Sequence, residues 1–169
     1  MLDALNNKKV QLVIAIVGSV VGLYAIRKFY VTYSQTSWLK SIVDPIKGRI
    51  TSGFGNRTNP VTGAKGLHNG VYVSSPMDSP IVAPLNGIVT SKYFNALGGN
   101  QMIIDSGYAK FGFAHLNRFA EGINVGSIVS KGQVIGYVGN TGSSTGTHLH
   151  FTLRLNDVAT DPSKYFTFA

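Results

Sequence analysis

Residues 132–151 read GQVIGYVGNTGSSTGTHLHF, and the fold is decided on this stretch. Val134–Val138 has the β-branched and aromatic texture of a short strand. Gly139 to Gly146 is a run of Gly, Asn, Ser and Thr, which breaks regular structure. From His148 to Leu155 a strand pattern returns. Successive strand side chains point to opposite faces, so His148 and His150 share one face and Leu149 turns into the core. Two imidazoles side by side suit metal binding or proton transfer. Two polar residues on a solvated strand face have the same spacing, so spacing alone leaves both readings open. The loop ahead of the pair has no Lys after its last glycine and no helix pattern behind it, which argues against a phosphate-cradling loop. It reads as a tight turn whose glycines supply positive φ beside a substrate cleft.

Outward from this stretch the same texture extends back to Arg49. Candidate strands are Arg49–Ser52, Gly70–Val73, Pro80–Ala83, Gly87–Phe94, Gln101–Asp105, Lys110–Leu116 and Ser127–Val129, besides Val134–Val138 and His148–Leu155. Turn signals fall at Ala96–Asn100, Asp105–Gly107 and Lys131–Gly132. With no strong amphipathic helix pattern among them, residues 49–169 are expected to form one antiparallel, all-β domain with a single core. The composition agrees, since 20 glycines in 169 residues suit short strands and tight turns better than a helical bundle. At 44% hydrophobic and 13% charged the chain is not a disordered one. Cys is absent, which excludes a disulfide framework, a thiolate metal site and a Cys nucleophile. The net charge of +8 suits an anionic partner such as lipid headgroups or wall polymers, and equally suits plain solubility. No helix-turn-helix, RRM or zinc-finger pattern is present, so nucleic acid is not an expected partner.

Ahead of the β-rich part, Leu12–Ile26 reads LVIAIVGSVVGLYAI without a charge, between Lys8-Lys9 and Arg27-Lys28. Counted from Val10, the uncharged run is at the short end of the roughly 17–25 residues that span a bilayer. The flanking cations can snorkel to headgroups, and Phe29, Tyr30 and Tyr33 can extend the helix into the interface. Leu23-Tyr24-Ala25-Ile26 makes a poor small-x-small cleavage site, so a retained anchor is favoured over a signal peptide. Expected, then, are a tail and single transmembrane helix over 1–31, meeting lipid through residues 10–26, and a linker over 32–48. Lysines and arginines on both sides leave the orientation open.

A family resemblance rests on several separated segments. Gly132–Gly142 with Ser144-Thr145-Gly146 and His148-Leu149-His150-Phe151 resembles the signature of lysostaphin/LytM-type zinc endopeptidases. Asn59-Pro60-Val61-Thr62-Gly63 followed by His68-Asn69-Gly70 resembles their first metal-ligand segment. Pro80–Pro84 with Gly87-Ile88-Val89 resembles the strand pair after it, and Ala114-His115-Leu116 the isolated catalytic-histidine segment. The resemblance implies a LytM/lysostaphin-like β fold, zinc ligation by His68 and His150, and catalytic roles for His115 and His148. It also places Asn59 and Thr145 along a substrate groove.

Two departures bear on activity. Where the family carries a second ligand, an Asp four residues after the first His, this chain has Tyr72, and where a Glu commonly follows His-x-His-Phe it has Thr152. A zinc site needs three protein groups plus water, and a phenol ligates only as phenolate. Tyr72 is therefore a doubtful ligand, and zinc is expected to be held weakly or not at all. The resemblance implies a zinc-dependent endopeptidase cutting peptide bonds of peptidoglycan, and the N-terminal apolar run makes it an expected membrane-anchored one. Zinc in such a site lowers the pKa of a bound water and polarises the scissile carbonyl. The alternative is a catalytically degenerate module acting in peptidoglycan binding or in envelope or virion assembly. The expected setting is a single-pass protein of the bacterial envelope, or else the membrane of a lipid-containing bacteriophage. A lipoyl-like carrier hairpin is set aside because no modifiable Lys sits at the expected turn.

Overall fold

The computed structural model describes residues 41–58 and 63–169. The expected transmembrane segment at residues 10–26 and the groove residue Asn59 lie outside the described residues. Among the described residues there is no α-helix, and no helix is long and apolar enough to cross a membrane.

Thirteen strands run in chain order: β1 Arg49–Ser52, β2 Gly55–Thr58, β3 Lys65–His68, β4 Gly70–Ser74, β5 Pro80–Val82, β6 Gly87–Asn95, β7 Gly99–Asp105, β8 Ala109–Leu116, β9 Arg118–Phe119, β10 Ile128–Val129, β11 Val134–Tyr137, β12 Leu149–Leu155 and β13 Val158–Thr160. An eight-stranded sheet has the order β1-β4-β12-β8-β7-β6-β10, with β13 added to β12. Two smaller sheets, β5-β11-β9 and the hairpin β2-β3, complete the fold. All pairings between these strands are antiparallel. The expected all-β antiparallel class is therefore what the described residues form.

Alternation on the strands divides the large sheet into a core face and an open face. On β12, Leu149, Phe151 and Leu153 are wholly buried while His150, Thr152 and Arg154 take the other side. Phe111 and Phe113 of β8 and Val71 and Val73 of β4 join the core face. Phe151 is the hub of this layer, with ring centroids 5.5 Å from Phe113, 6.1 Å from Phe111, 5.1 Å from Phe166 and 6.0 Å from Phe168. The last two arrive from the C-terminus, turned inward by a 3-10 turn over Pro162–Lys164 that Asp161 caps by accepting from the Ser163 N–H.

Strands not expected from the pattern are β2, β3, β9 and β13. The hairpin β2-β3 reads GNRT and KGLH, too polar and glycine-rich to show alternation, and it forms through ladder hydrogen bonds in the register Gly55↔His68 to Thr58↔Lys65. Residues 43–48, assigned by sequence to the linker, hydrogen-bond into the domain. The Val43 N–H donates to Pro84 O at 3.1 Å, the Val82 N–H to Pro45 O at 2.9 Å and the Gly48 N–H to Phe168 O at 2.8 Å.

Because Phe151 touches four aromatic rings from full burial, Phe151→Ala is expected to lower unfolding stability by about 3–5 kcal/mol. Val158→Ala, on an exposed edge residue, is expected to change it by about 0.5 kcal/mol or less. Denaturant titration of the purified chain measures both.

Candidate metal and catalytic centre

Five side chains singled out by sequence converge at one end of the open face. His68 closes β3, Tyr72 lies in β4, His115 near the end of β8, His148 on a bridge to Gly139, and His150 in β12. β12 pairs with both β4 and β8, so His150 stands opposite Tyr72 on one side and Ala114 on the other. His68 and Tyr72 are on different strands, separated by Asn69.

Ring centroids of His68 and His150 are 4.9 Å apart, those of His115 and His148 are 4.8 Å apart, and His115 and His150 are 6.0 Å apart. Tyr72 stands among them, 4.2 Å from His148, 4.5 Å from His68, 5.1 Å from His150 and 6.2 Å from His115. Thr145 is exposed on the neighbouring Gly139–Gly146 loop. Asp78 is engaged elsewhere, accepting from Asn117 Nδ2 at 2.9 Å and facing Arg118 Nε at 3.5 Å.

The histidine rings are oriented by backbone carbonyls. His68 Nδ1 donates to Gly53 O at 2.7 Å, His115 Nδ1 to Thr141 O at 2.8 Å and His148 Nδ1 to Gly146 O at 2.8 Å. A carbonyl oxygen only accepts, so Nδ1 carries the proton in each and Nε2 is left as a lone pair when the ring is neutral. Nε2 of His68, His148 and His150 is buried with no hydrogen-bond partner. The loop that presents Thr141 O is pinned by the Thr141 hydroxyl donating to Leu116 O at 2.8 Å. His115 itself takes φ 63°, a left-handed conformation uncommon for a residue with a Cβ. The register between β7 and β8 shifts beside it, between Asn100 and Met102.

All four histidines are pushed toward the neutral form. Burial is the largest cause for each, opposed at His68, His115 and His148 by the backbone hydrogen bonds. His150 is lowered to about 3, first by burial and then by its three histidine neighbours and Arg57. Arg57 went unnoticed in the sequence because β2 did. Its guanidinium carbon lies 4.9 Å from the Tyr72 ring centroid. Gly70 was likewise missed as a site residue, although a Cβ there would come within 2.8 Å of His150 Nε2 and closer still to Phe151 O. Only a glycine leaves the space that Phe151 O and His150 Nε2 occupy at this point.

Two clefts meet at His150. One, about 270 Å³, lies beneath the β2-β3 hairpin between Arg57, His68 and Tyr72. The other, about 460 Å³, runs along the open face over Gly112, Ala114 and Thr152 toward Lys110 and Arg154. Gly112, Ala114 and Thr152 bring small side chains or none to its lining, beside the larger Tyr93, Gln101 and Ile103.

As a zinc centre the donor set is two-thirds complete. His68 and His150 fit: their rings are close, their Nε2 atoms are bare, and burial keeps them neutral and able to ligate. The third position does not fit, because Tyr72 brings no carboxylate and a guanidinium stands over its ring. Among the described residues no three His, Cys, Asp or Glu side chains are grouped as a ready metal cage.

An antiparallel sheet that gathers four histidines at the head of an open groove defines a β-fold peptidase-type domain. Residues 66–162 match peptidase family M23, and the chain belongs to that family. It is 36% identical over 115 residues to the DD-carboxypeptidase/endopeptidase Mpg of Neisseria meningitidis, covering 68% of this chain and 26% of that protein. The catalytic domain of lysostaphin from Staphylococcus simulans superposes with a TM-score of 0.61 at 29% identity, covering 76% of this chain and 95% of that one. A zinc-containing peptidase from Vibrio cholerae superposes with a TM-score of 0.64 at 32% identity, covering 70% and 37%. The chain thus spans about a quarter of the length of the curated relatives it matches.

The lowered His150 fixes the sign of a pH effect. In the unfolded chain its imidazole takes up a proton below about 6.5, whereas in the fold it does so only near 3. Stability of the chelator-treated protein is therefore complete above pH 6.5 and is lost progressively as pH falls from 6.5 toward 3. His150→Phe is expected to flatten this slope, as read by thermal unfolding across that range.

Proposed function

We propose that this chain is a peptidoglycan hydrolase: a membrane-anchored M23 endopeptidase that cuts peptide bonds of the bacterial cell wall. The observation that carries the proposal is the convergence of four imidazoles, three of them with buried Nε2 atoms that lack a hydrogen-bond partner, beside an open groove that His150 lines. His68 and His150 would hold zinc through Nε2, and zinc when bound supplies a water acidified toward neutral pH and polarisation of the scissile carbonyl. His115 and His148 have committed Nδ1–H to Thr141 O and Gly146 O, so each presents Nε2 to the reaction. In that state either can take a proton from the attacking water and, once charged, deliver it to the leaving amine. The left-handed backbone at His115 and the pinned Thr141 loop hold these rings without reorganisation during the reaction. The basic balance of the chain and a segment at residues 10–26 that suits a bilayer support a place at the membrane, facing an anionic wall. A bacterial envelope and a lipid-containing bacteriophage virion are both compatible with that place.

Tyr72 favours a second reading, in which the same groove binds peptidoglycan or serves assembly without cutting. Metal analysis and a wall-turbidity assay on purified chain separate the two. Wild-type protein is expected to hold substoichiometric zinc and digest wall slowly. Tyr72→Asp is expected to raise zinc affinity by more than the roughly 10–100-fold contributed by an outer-shell partner, and to raise lysis with it. His150→Ala is expected to abolish both. Stoichiometric zinc and full lysis in the wild type overturn the argument from the missing carboxylate. Zinc binding by Tyr72→Asp without lysis favours the binding module.

A further inference from the structure

The backbone around His115 is held from outside the histidine cluster. At φ 63° this residue takes a left-handed conformation, which a residue with a Cβ keeps only where its surroundings enforce it. Three segments meet behind it: the turn between β6 and β7, the end of β8 running on to Asn117, and the loop at Thr141. The turn is shaped by Asn95, whose Oδ1 accepts from the N–H groups of Leu97 and Gly98 at 3.0 and 2.7 Å. It offers Gly98 O to the His115 N–H at 2.8 Å and Leu97 O to the Ser143 N–H at 2.9 Å.

Asn100 ties the three together. Its Nδ2 donates to Leu116 O and to Asn117 O, each at 3.1 Å. Its backbone N–H donates to Thr141 Oγ1 at 3.1 Å, and that hydroxyl in turn donates to Leu116 O at 2.8 Å. The carbonyl of the same Thr141 accepts from His115 Nδ1. Asn100 stands opposite Leu116 where the register between β7 and β8 shifts, and its N–H goes to the Thr141 loop. A primary amide has two N–H donors, and the two carbonyls that follow His115 match them. Gly99 leaves room for the crossing, since a Cβ there would strike the Thr141 hydroxyl and backbone.

We infer that Asn100 is a positioning residue for His115: by holding Leu116 O, Asn117 O and the Thr141 hydroxyl it fixes the left-handed backbone and keeps Thr141 O against Nδ1, so that the ring presents Nε2 as a lone pair. The inference rests on the reading of His115 as a proton-transfer group in wall hydrolysis, and it names what keeps that group in its accepting tautomer. A free neutral imidazole exchanges between two tautomers, whereas a ring facing a fixed carbonyl keeps one. Only the tautomer with Nε2 bare can take a proton from the attacking water. The amide is chemically specific in this role. A carboxylate of the same shape has no N–H and would set its oxygens against the two carbonyls.

The test is NMR of the purified full chain with EDTA at about pH 8, where imidazole is neutral, with wall digestion measured alongside in the absence of chelator. In the wild type the ring 15N shifts of His115 are expected to show the Nδ1–H tautomer, and its Cα and Cβ shifts a left-handed residue. In Asn100→Ala and Asn100→Asp, with circular dichroism showing the fold intact, the ring is expected to become a mixture of tautomers. The Cα and Cβ shifts are expected to move toward extended values, further in Asn100→Asp. Initial rates of turbidity loss over a range of wall concentrations are expected to give a kcat lower by about 10–100-fold, the range for outer partners of site histidines, with KM changed by less than about threefold. A role confined to stability would lower the unfolding midpoint and leave the His115 shifts and the kcat of the folded variants at wild-type values, and that result overturns the proposal. An Nε2–H tautomer in the wild type overturns it as well. Asn100→Ala keeps the backbone N–H to Thr141 and adds no charge, so it decides the outcome if Asn100→Asp does not fold. Lysis with His115 shifts unmoved in both variants removes the positioning role and leaves the hydrolase. Moved shifts in a chain that digests no wall support the positioning contact and remove the hydrolase.

Discussion

The pairing of β12 between β4 and β8 is the constraint from which the site follows. Leu149, Phe151 and Leu153 on this strand are wholly buried, and a slip of one residue would turn all three to solvent. The same alternation obliges His150 to face the open groove, opposite Tyr72 and Ala114. Packing of the aromatic layer therefore determines the position of a chemical group on the far side of the sheet. Gly70 is part of this constraint, since a side chain there would strike Phe151 O and His150 Nε2 together.

Around this strand the rings of the remaining histidines are held by backbone carbonyls outside the large sheet. His115 leaves the regular strand conformation at φ 63°, and its ring is held by the carbonyl of Thr141. Gly142 makes that contact possible, because a Cβ at φ 74° would strike the Gly99 backbone and open the loop. Burial then does the electrostatic work. It keeps the rings neutral, so that the cluster offers lone pairs instead of mutually repelling cations.

The charge pattern of the centre departs from what a metal alone would ask for. Two imidazoles, a phenol and a guanidinium combine acceptors with a cationic donor, without a carboxylate between them. Such a set is a poorer cage for a dication than one that includes a carboxylate.

The sequence by itself determined the all-β class and the same-face placement of His148 and His150, because both depend on period-2 alternation, which is local. It also determined that an Asp is missing at position 72, since family spacing counts residues and not distances. Nine strands were legible for the same reason. The hairpin β2-β3 was not, because GNRT and KGLH carry no alternation and are ordered by ladder hydrogen bonds to each other. With the hairpin went Arg57, whose nearness to Tyr72 arises only when β2 folds back over β4. The docking of residues 43–48 onto Pro84, Val82 and Phe168 was hidden likewise, since their partners lie far along the chain. Only the tertiary structure could set an arginine beside a ring fifteen residues away in sequence, because that contact is made by strand pairing and chain reversal, and neither leaves a periodic trace in the residues themselves.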